Sequence, residues 1–178
     1  MSKIPEFKFA IREDLSDTKD LFMPTRATPL SSGWDVHAAM VDRAPIELKF
    51  GEYVKIPLGF RAFCPDGWWY ELKPRSSTFG KKNLHALYGT IDQDFEGELV
   101  FACQYLPNIG LFGSKNECTL YVSEWKTLKI EFGEAIGQII PVKRQEAVMT
   151  RVSNEDIDAL YKARNAKRGT GGFGSTKK

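Results

Sequence analysis

The sequence contains no apolar run near the ~18 residues that span a bilayer, and its start, MSKIPEFKFA, lacks the apolar stretch of a secretory signal. No membrane partner is expected, and the cytoplasm is the expected location. Cysteine is scarce. Cys64, Cys103 and Cys118 form an odd set without CxxC spacing, which speaks against a zinc site and for buried free thiols in a reducing compartment. Histidine is scarcer still, with only His37 and His85, neither in a catalytic or metal-ligand pattern. GxSxG, HExxH and GxxxxGKS are all missing, as are internal repeats. Chemistry in this chain would have to come from carboxylates, arginine and hydroxyls, with Mg2+ on a phosphate substrate.

What is present fits one soluble domain with decorations: 178 residues, 42% hydrophobic and 27% charged. The net charge of +2 is unevenly spread. Residues 161–178 carry six basic side chains and no acid, leaving 19 basic against 23 acidic residues elsewhere. A basic, glycine-rich end on an acidic body suggests an arm for an anionic ligand, with a solvated tail as the plain alternative. With the basic charge confined to the tail and no RNP-like or helix-turn-helix pattern, direct nucleic-acid binding is not expected.

Most of the chain reads as short strands. Residues 53–63, 68–72, 97–105, 119–122 and 135–142 are rich in β-branched and aromatic side chains, and turn-forming pieces such as Pro65-Asp66-Gly67 separate them. Such spacing suggests a sandwich or barrel. One helix is expected. Ser153 and Asp156 resemble a capping box, Ile157, Leu160 and Tyr161 fall on one face, and the helix should end near Asn165. Residues 12–20 are polar and read as a surface loop.

Three runs could carry chemistry. In RGTGGFGS, from Arg168 to Ser175, four glycines let backbone N–H groups approach an anion. There Arg168 adds a fork of donors, and Phe173 is free to stack on a base. Lys73-Pro74-Arg75-Ser76-Ser77-Thr78 sets arginine beside hydroxyls and could hold a polyphosphate. Residues 89–98, GTIDQDFEGE, put acids between two strands, where a carboxylate could act on water. Asp35, in SGWD, is a further candidate acid. Each run alone also reads as a linker, a strand exit or a polar turn.

Taken in order, these runs resemble the five motifs of the trimeric deoxyuridine triphosphatase (dUTPase) family. Residues 24–39 (PTRATPLSSGWDVHAA) resemble motif one, with Gly33, Trp34 and Asp35 at its core. Pro74-Arg75-Ser76-Ser77 resembles motif two, and residues 89–99 (GTIDQDFEGEL) resemble motif three. Residues 133–140 (GEAIGQII) resemble motif four, and residues 168–176 (RGTGGFGST) motif five. The resemblance implies an all-β fold: a distorted jelly-roll β-barrel of the β-clip type, with one short helix near the C-terminus, assembled as a homotrimer with shared active sites. It implies a barrel domain over 1–165, with a segment inserted at about 104–132, and a flexible arm over 166–178 that closes on a neighbour's nucleotide.

The implied activity is Mg2+-dependent hydrolysis of dUTP to dUMP and pyrophosphate, which keeps uracil out of DNA and supplies dUMP for dTMP synthesis. In that scheme Asp92 deprotonates the water that attacks the α-phosphorus, and Gln138 helps place it. Asp35 holds the Mg2+ site through water. Arg75, Ser76 and Ser77 bind phosphate oxygens, and Arg168, Ser175 and Thr176, with Gly174 beside them, clamp the γ-phosphate end. Phe173 stacks on uracil. A hairpin from about His85 to Ile91, including Ala86, Tyr88 and Gly89, reads the base largely through backbone groups and leaves no room for a thymine methyl. Phe95 lies under the deoxyribose and excludes a 2′-hydroxyl.

Three departures stand out: phenylalanine at Phe95 and tryptophan at Trp34, where the family usually has tyrosine, and Ala86, where some members have asparagine. Residues 104–132 form a longer connection than compact members have. They read either as a packed decoration or as an extra hairpin whose Leu111, Phe112 and Trp125 dock a partner protein. The alternatives to dUTP hydrolysis are a dCTP deaminase of the same superfamily, which would release ammonia, and a nucleotide-sensing regulatory binding protein. The motif-three acid and the glycine-rich arm argue against both.

Overall fold

A computed structural model describes residues 4–106, 110–112, 119–121 and 127–164. The chain falls into two compact units, residues 1–144 and 145–178.

The first unit is built on two four-stranded antiparallel sheets. One has the order β1 (Lys8–Ile11), β4 (Tyr53–Phe63), β8 (Glu98–Tyr105), β6 (Leu84–Ala86). The other has the order β2 (Trp34–His37), β12 (Ala135–Lys143), β5 (Trp68–Pro74), β7 (Gly89–Ile91). Two ribbons complete it, β3 (Ile46–Leu48) with β11 (Leu128–Ile130), and β9 (Gly110–Phe112) with β10 (Thr119–Tyr121). The second ribbon is the described part of the long connection. The expected docking residue Trp125 lies outside the described residues.

Alternation drives the sheets. Ile56, Leu58 and Phe60 on β4 and Leu99, Phe101 and Cys103 on β8 point inward at every second position. They join Tyr70, Leu72, Val36 and Ile139 from the other sheet in one core. Each fully buried aliphatic or aromatic side chain there contributes roughly 1.5–3 kcal/mol. Cys64 and Cys103 are free and buried, and burial raises both thiols to about 11. Cys118 lies outside the described residues.

On β12 the alternation breaks. Ile136 and Ile139 both point inward although they are three apart, and the pairing with β2 shifts between Ala135 and Gly137. An extra residue in one strand produces this change of parity. Ile136 falls outside the ladder on both sides, and its carbonyl instead accepts a 2.7 Å hydrogen bond from the Thr78 hydroxyl. Thr78 sits in α2 (Ser76–Gly80) and is 2% exposed.

Residues 12–20 depart from the expected surface loop. A 3-10 turn at Glu13–Leu15 and the start of α1 (Lys19–Phe22) place Leu15 fully inside, in a second cluster with Phe22 and Ala39. Only one residue in the turn is apolar, which is too little for a pattern to announce. Gly59 (φ +75°) lets this cluster approach, since a β-carbon there would meet Leu15 and Ala39.

In the second unit α3 (Asn154–Ala163) carries the full capping box. The Ser153 hydroxyl accepts from the Asp156 N–H at 3.0 Å, and the Asp156 carboxylate accepts from the Ser153 N–H at 3.4 Å. Ile157, Leu160 and Tyr161 are exposed. Among the described residues no helix is long and apolar enough to cross a membrane.

Thr78→Val keeps the shape and removes the donor to the Ile136 carbonyl. We expect a loss of about 1–3 kcal/mol, hence a fall of roughly 2–10 °C in Tm, measured by calorimetry. An unchanged Tm would show that the bulge does not need this bond.

Candidate functional site

The second sheet gathers three of the motifs. β12 lies between β2 and β5, so Gln138 is paired with Asp35 on one side and with Lys73 on the other. The chain leaves β5 at Pro74, and Arg75 turns back so that its Nε stands 3.4 Å from Asp35 Oδ1. The Gln138 Nε2 donates to the Pro74 carbonyl at 3.4 Å. Gly33, at the entry to β2, is bare because a β-carbon there would strike the Gln138 carboxamide. Ser76 and Ser77 follow Arg75 in the first turn of α2. Motifs one, two and four therefore present one guanidinium, one carboxylate, one carboxamide and two hydroxyls on adjoining elements.

Asp35 and His37 share a face of β2, two residues apart. The His37 imidazole is held below its usual 6.5 first by burial, with the positive Arg75 adding and Asp35 opposing. Its Nδ1 is buried and has no hydrogen-bond partner among the described residues. Trp34 alternates to the other face, where it packs against the core with Arg26 stacked 4.5 Å over its ring. The tryptophan of motif one thus bears on packing and faces away from the Asp35 cluster.

Motif three stands elsewhere. Ile91 on β7 pairs with Tyr70, three positions along β5 from Lys73, and Asp92 lies one residue beyond Ile91. At about 3.3 Å per residue and about 4.8 Å per strand, Asp92 and Gln138 are roughly 16 Å apart. No pair of side chains closes that gap. Asp92 is exposed and lines an open cleft of about 600 Å3 with Trp68, Trp69, Thr90 and Arg144. Phe95 is 45% exposed, and its ring lies against Gly97, where a β-carbon would collide with it.

The segment expected as a base-reading hairpin is not one. β6 pairs with β8 in the first sheet and β7 with β5 in the second, so the chain crosses between sheets at Leu87 and Tyr88. Both crossing residues are exposed, and the Leu87 N–H is held by the Ala102 carbonyl at 2.9 Å. His85 is exposed beside the Phe79 ring, and Ala86 is half-buried opposite Cys103. Arg168, Phe173, Gly174, Ser175 and Thr176 lie outside the described residues.

A metal would find a small donor set here. Among the described residues no three His, Cys, Asp or Glu side chains group as a cage. The Asp35 carboxylate beside Arg75 fits an ion that takes most of its ligands from phosphate and water, as Mg2+ does. Two contributors were not legible in the sequence: Thr78, which holds the bulge two residues from Gln138, and Gln93, which anchors the motif-three loop. In the sequence Thr78 only ends a hydroxyl run, and Gln93 only fills a motif position.

No family model matches the chain. Among curated proteins it is similar to the deoxyuridine 5'-triphosphate nucleotidohydrolase of Caulobacter vibrioides, at 32% identity over 159 residues, 88% of this chain and 86% of that one. The enzyme of the same name from Aquifex aeolicus is 38% identical over 136 residues, 74% of this chain and 78% of that one. Among solved structures, the dUTPase of Staphylococcus bacteriophage 80alpha with dUPNHPP aligns at TM-score 0.69 and 21% identity, covering 97% of this chain and 99% of that one. A variant dUTPase of S. aureus phage phi11, with a coordinated structural Mg(II) ion, aligns at TM-score 0.63 and 21% identity, covering 84% and 97%. At these identities the structural likeness shows a shared, mostly β fold.

The electrostatics of this face predict that the His37 imidazole titrates below 6.5 in the folded protein. Asp35→Asn should lower the midpoint further by removing the charge that favours imidazolium, and Arg75→Ala should raise it. An NMR titration of the ring carbons in the metal-free protein reads both shifts. Shifts of the opposite sign would mean that the three groups do not face one another.

Proposed function

We propose, since the chain belongs to the deoxyuridine triphosphatase family, that its hydrolysis of dUTP to dUMP and pyrophosphate takes place at sites built jointly by the subunits of a homotrimer with a distorted jelly-roll barrel. The observation that carries this reading is the gap between motif three and the other motifs. Asp92 stands roughly 16 Å from Gln138 by strand spacing, too far for one water and one phosphate to be reached from both within a chain. A second subunit that brings its Arg75, Asp35 and Gln138 face to Asp92 completes the set.

In the completed site Asp92 takes a proton from water as its oxygen attacks the α-phosphorus. The bond to the bridging oxygen breaks, and pyrophosphate leaves. Gln138 holds the water and a phosphate oxygen. The Arg75 guanidinium and the hydroxyls of Ser76 and Ser77 meet the charge that gathers on the departing pyrophosphate. Asp35 would hold Mg2+, and the bound ion would neutralise triphosphate charge. The base is read between β6 and β7, at Ala86, Tyr88, Gly89 and Ile91 with His85 alongside, and the Phe95 ring walls the sugar. The arm 166–178 closes over the nucleotide, with Phe173 on uracil and Arg168, Gly174, Ser175 and Thr176 at the γ-phosphate. The barrel takes in residues 1–165, with the inserted segment at about 104–132, and the enzyme acts in the cytoplasm.

Pyrophosphate release from dUTP, dCTP, dTTP and UTP with Mg2+ tests the chemistry. Asp92→Asn should lower turnover of dUTP by about 100-fold or more, with little change in KM. Ammonia from dCTP would instead establish the deaminase. Shared sites are tested by refolding Asp92→Asn chains together with Arg75→Ala chains. With random mixing about a quarter of the sites pair an intact Asp92 with an intact Arg75, so the mixture should recover activity that neither variant has alone. No recovery, with mixed trimers shown by mass spectrometry, would return the site to a single chain.

A further inference from the structure

The general base of the proposed reaction is held through its backbone carbonyl, which accepts from the Phe95 N–H at 3.2 Å, and not through its side chain. Asp92 is exposed, and among the described residues its carboxylate accepts no hydrogen bond. Near-attack geometry nonetheless demands that such a group stand within about an ångström of one position.

The following residue supplies the anchor. Both ends of the half-buried Gln93 carboxamide are bonded. Its Nε2 donates to Asp66 Oδ1 at 2.8 Å, and its Oε1 accepts from the Gly67 N–H at 3.3 Å. Arg144 Nη1, just past β12, donates to the same Oε1 at 3.5 Å, while the Arg144 N–H donates to the Gly67 carbonyl at 2.7 Å. One side chain thereby ties the motif-three loop to the β4–β5 turn and to the end of β12.

The anchor point is stiff. The Trp68 N–H donates to the Pro65 carbonyl at 3.1 Å across a four-residue turn, and Gly67 takes φ +77°, the left-handed value that favours glycine. The α-carbons of residues 92 and 93 are about 3.8 Å apart across a trans peptide, so the anchor sits one residue from the base.

We propose that Gln93 is a positioning residue for hydrolysis: by clamping the motif-three loop to the Asp66–Gly67 turn, it sets where Asp92 meets the attacking water. This rests on the reading of Asp92 as the base. The clamp has a polarity that can be reversed. A glutamate at position 93 still accepts from Gly67 and Arg144 but turns a carboxylate toward Asp66 and loses the donor. Asparagine at position 66 then returns a donor from the other side.

The test measures kcat and KM for dUTP with Mg2+, together with Tm, for full-length Gln93→Leu, Gln93→Glu and the double variant Gln93→Glu with Asp66→Asn, beside Asp92→Asn. We expect kcat to fall about 10–100-fold in both single variants, with KM within about twofold, and to recover most of that loss in the double variant. Loss of stability alone would lower Tm without this split and would not restore kcat with the reversed pair. A Gln93→Leu enzyme with wild-type kcat, or a folded double variant no faster than Gln93→Glu, overturns the inference. If Asp92→Asn keeps wild-type turnover, it is the assignment of the base that has failed, and the clamp loses its object. An inactive Asp92→Asn beside a fully active Gln93→Leu removes the clamp alone.

Discussion

The strand Ala135–Lys143 is hydrogen-bonded on both flanks, and the chemistry of this chain depends on that sandwiching. Because β2 and β5 are both laddered to it, Asp35, Gln138 and the exit toward Arg75 cannot shift independently. The one irregularity in the strand, at Ile136, is stitched to α2 by a buried hydroxyl. The helix that bears Ser76 and Ser77 is thus bound to the strand that bears Gln138. Gly33 completes the arrangement by omission, leaving room for the carboxamide. Functional groups on laddered strands with satisfied neighbours keep their geometry better than groups on loops.

Motif three is held by different means. Its acid follows the last strand of the sheet and projects from a loop, so its placement falls to the Gln93 carboxamide and the turn beneath it. The same sheet therefore carries the Asp35, Arg75 and Gln138 cluster at one place and the clamped Asp92 loop at another. In the proposed shared site these two places belong to different copies of the chain. An open cleft lies beside Asp92, while Arg75 and Asp35 stand 3.4 Å apart.

Much of this was legible in residue order. The strand over 53–63 announced itself through its β-branched and aromatic side chains, and the capping box at Ser153 announced its helix. Partnership was less visible. Residues 84–91 look like a hairpin because two short strands flank two residues, yet β6 and β7 belong to different sheets. Local pattern sets which faces are apolar; it does not say which strand a neighbour will choose. Leu15 was hidden for a related reason, as a single buried anchor in a polar stretch. The distance between Asp92 and Gln138 was out of reach, since motif order carries no metric.

The phenylalanine at position 95 shows how such placement converts a departure into a physical statement. One side of the Phe95 ring is pressed on the Gly97 backbone, where any β-carbon would collide, and the rest is exposed. The glycine two residues on is what leaves room for the tip of the ring. An apolar wall rejects an added hydroxyl by leaving it unsolvated and unpaired. A phenol at this position would add a polar handle at the rim without altering the wall. In the proposed site, discrimination against ribose would fall to the ring itself, since Phe95 carries no phenol oxygen to offer a hydrogen bond.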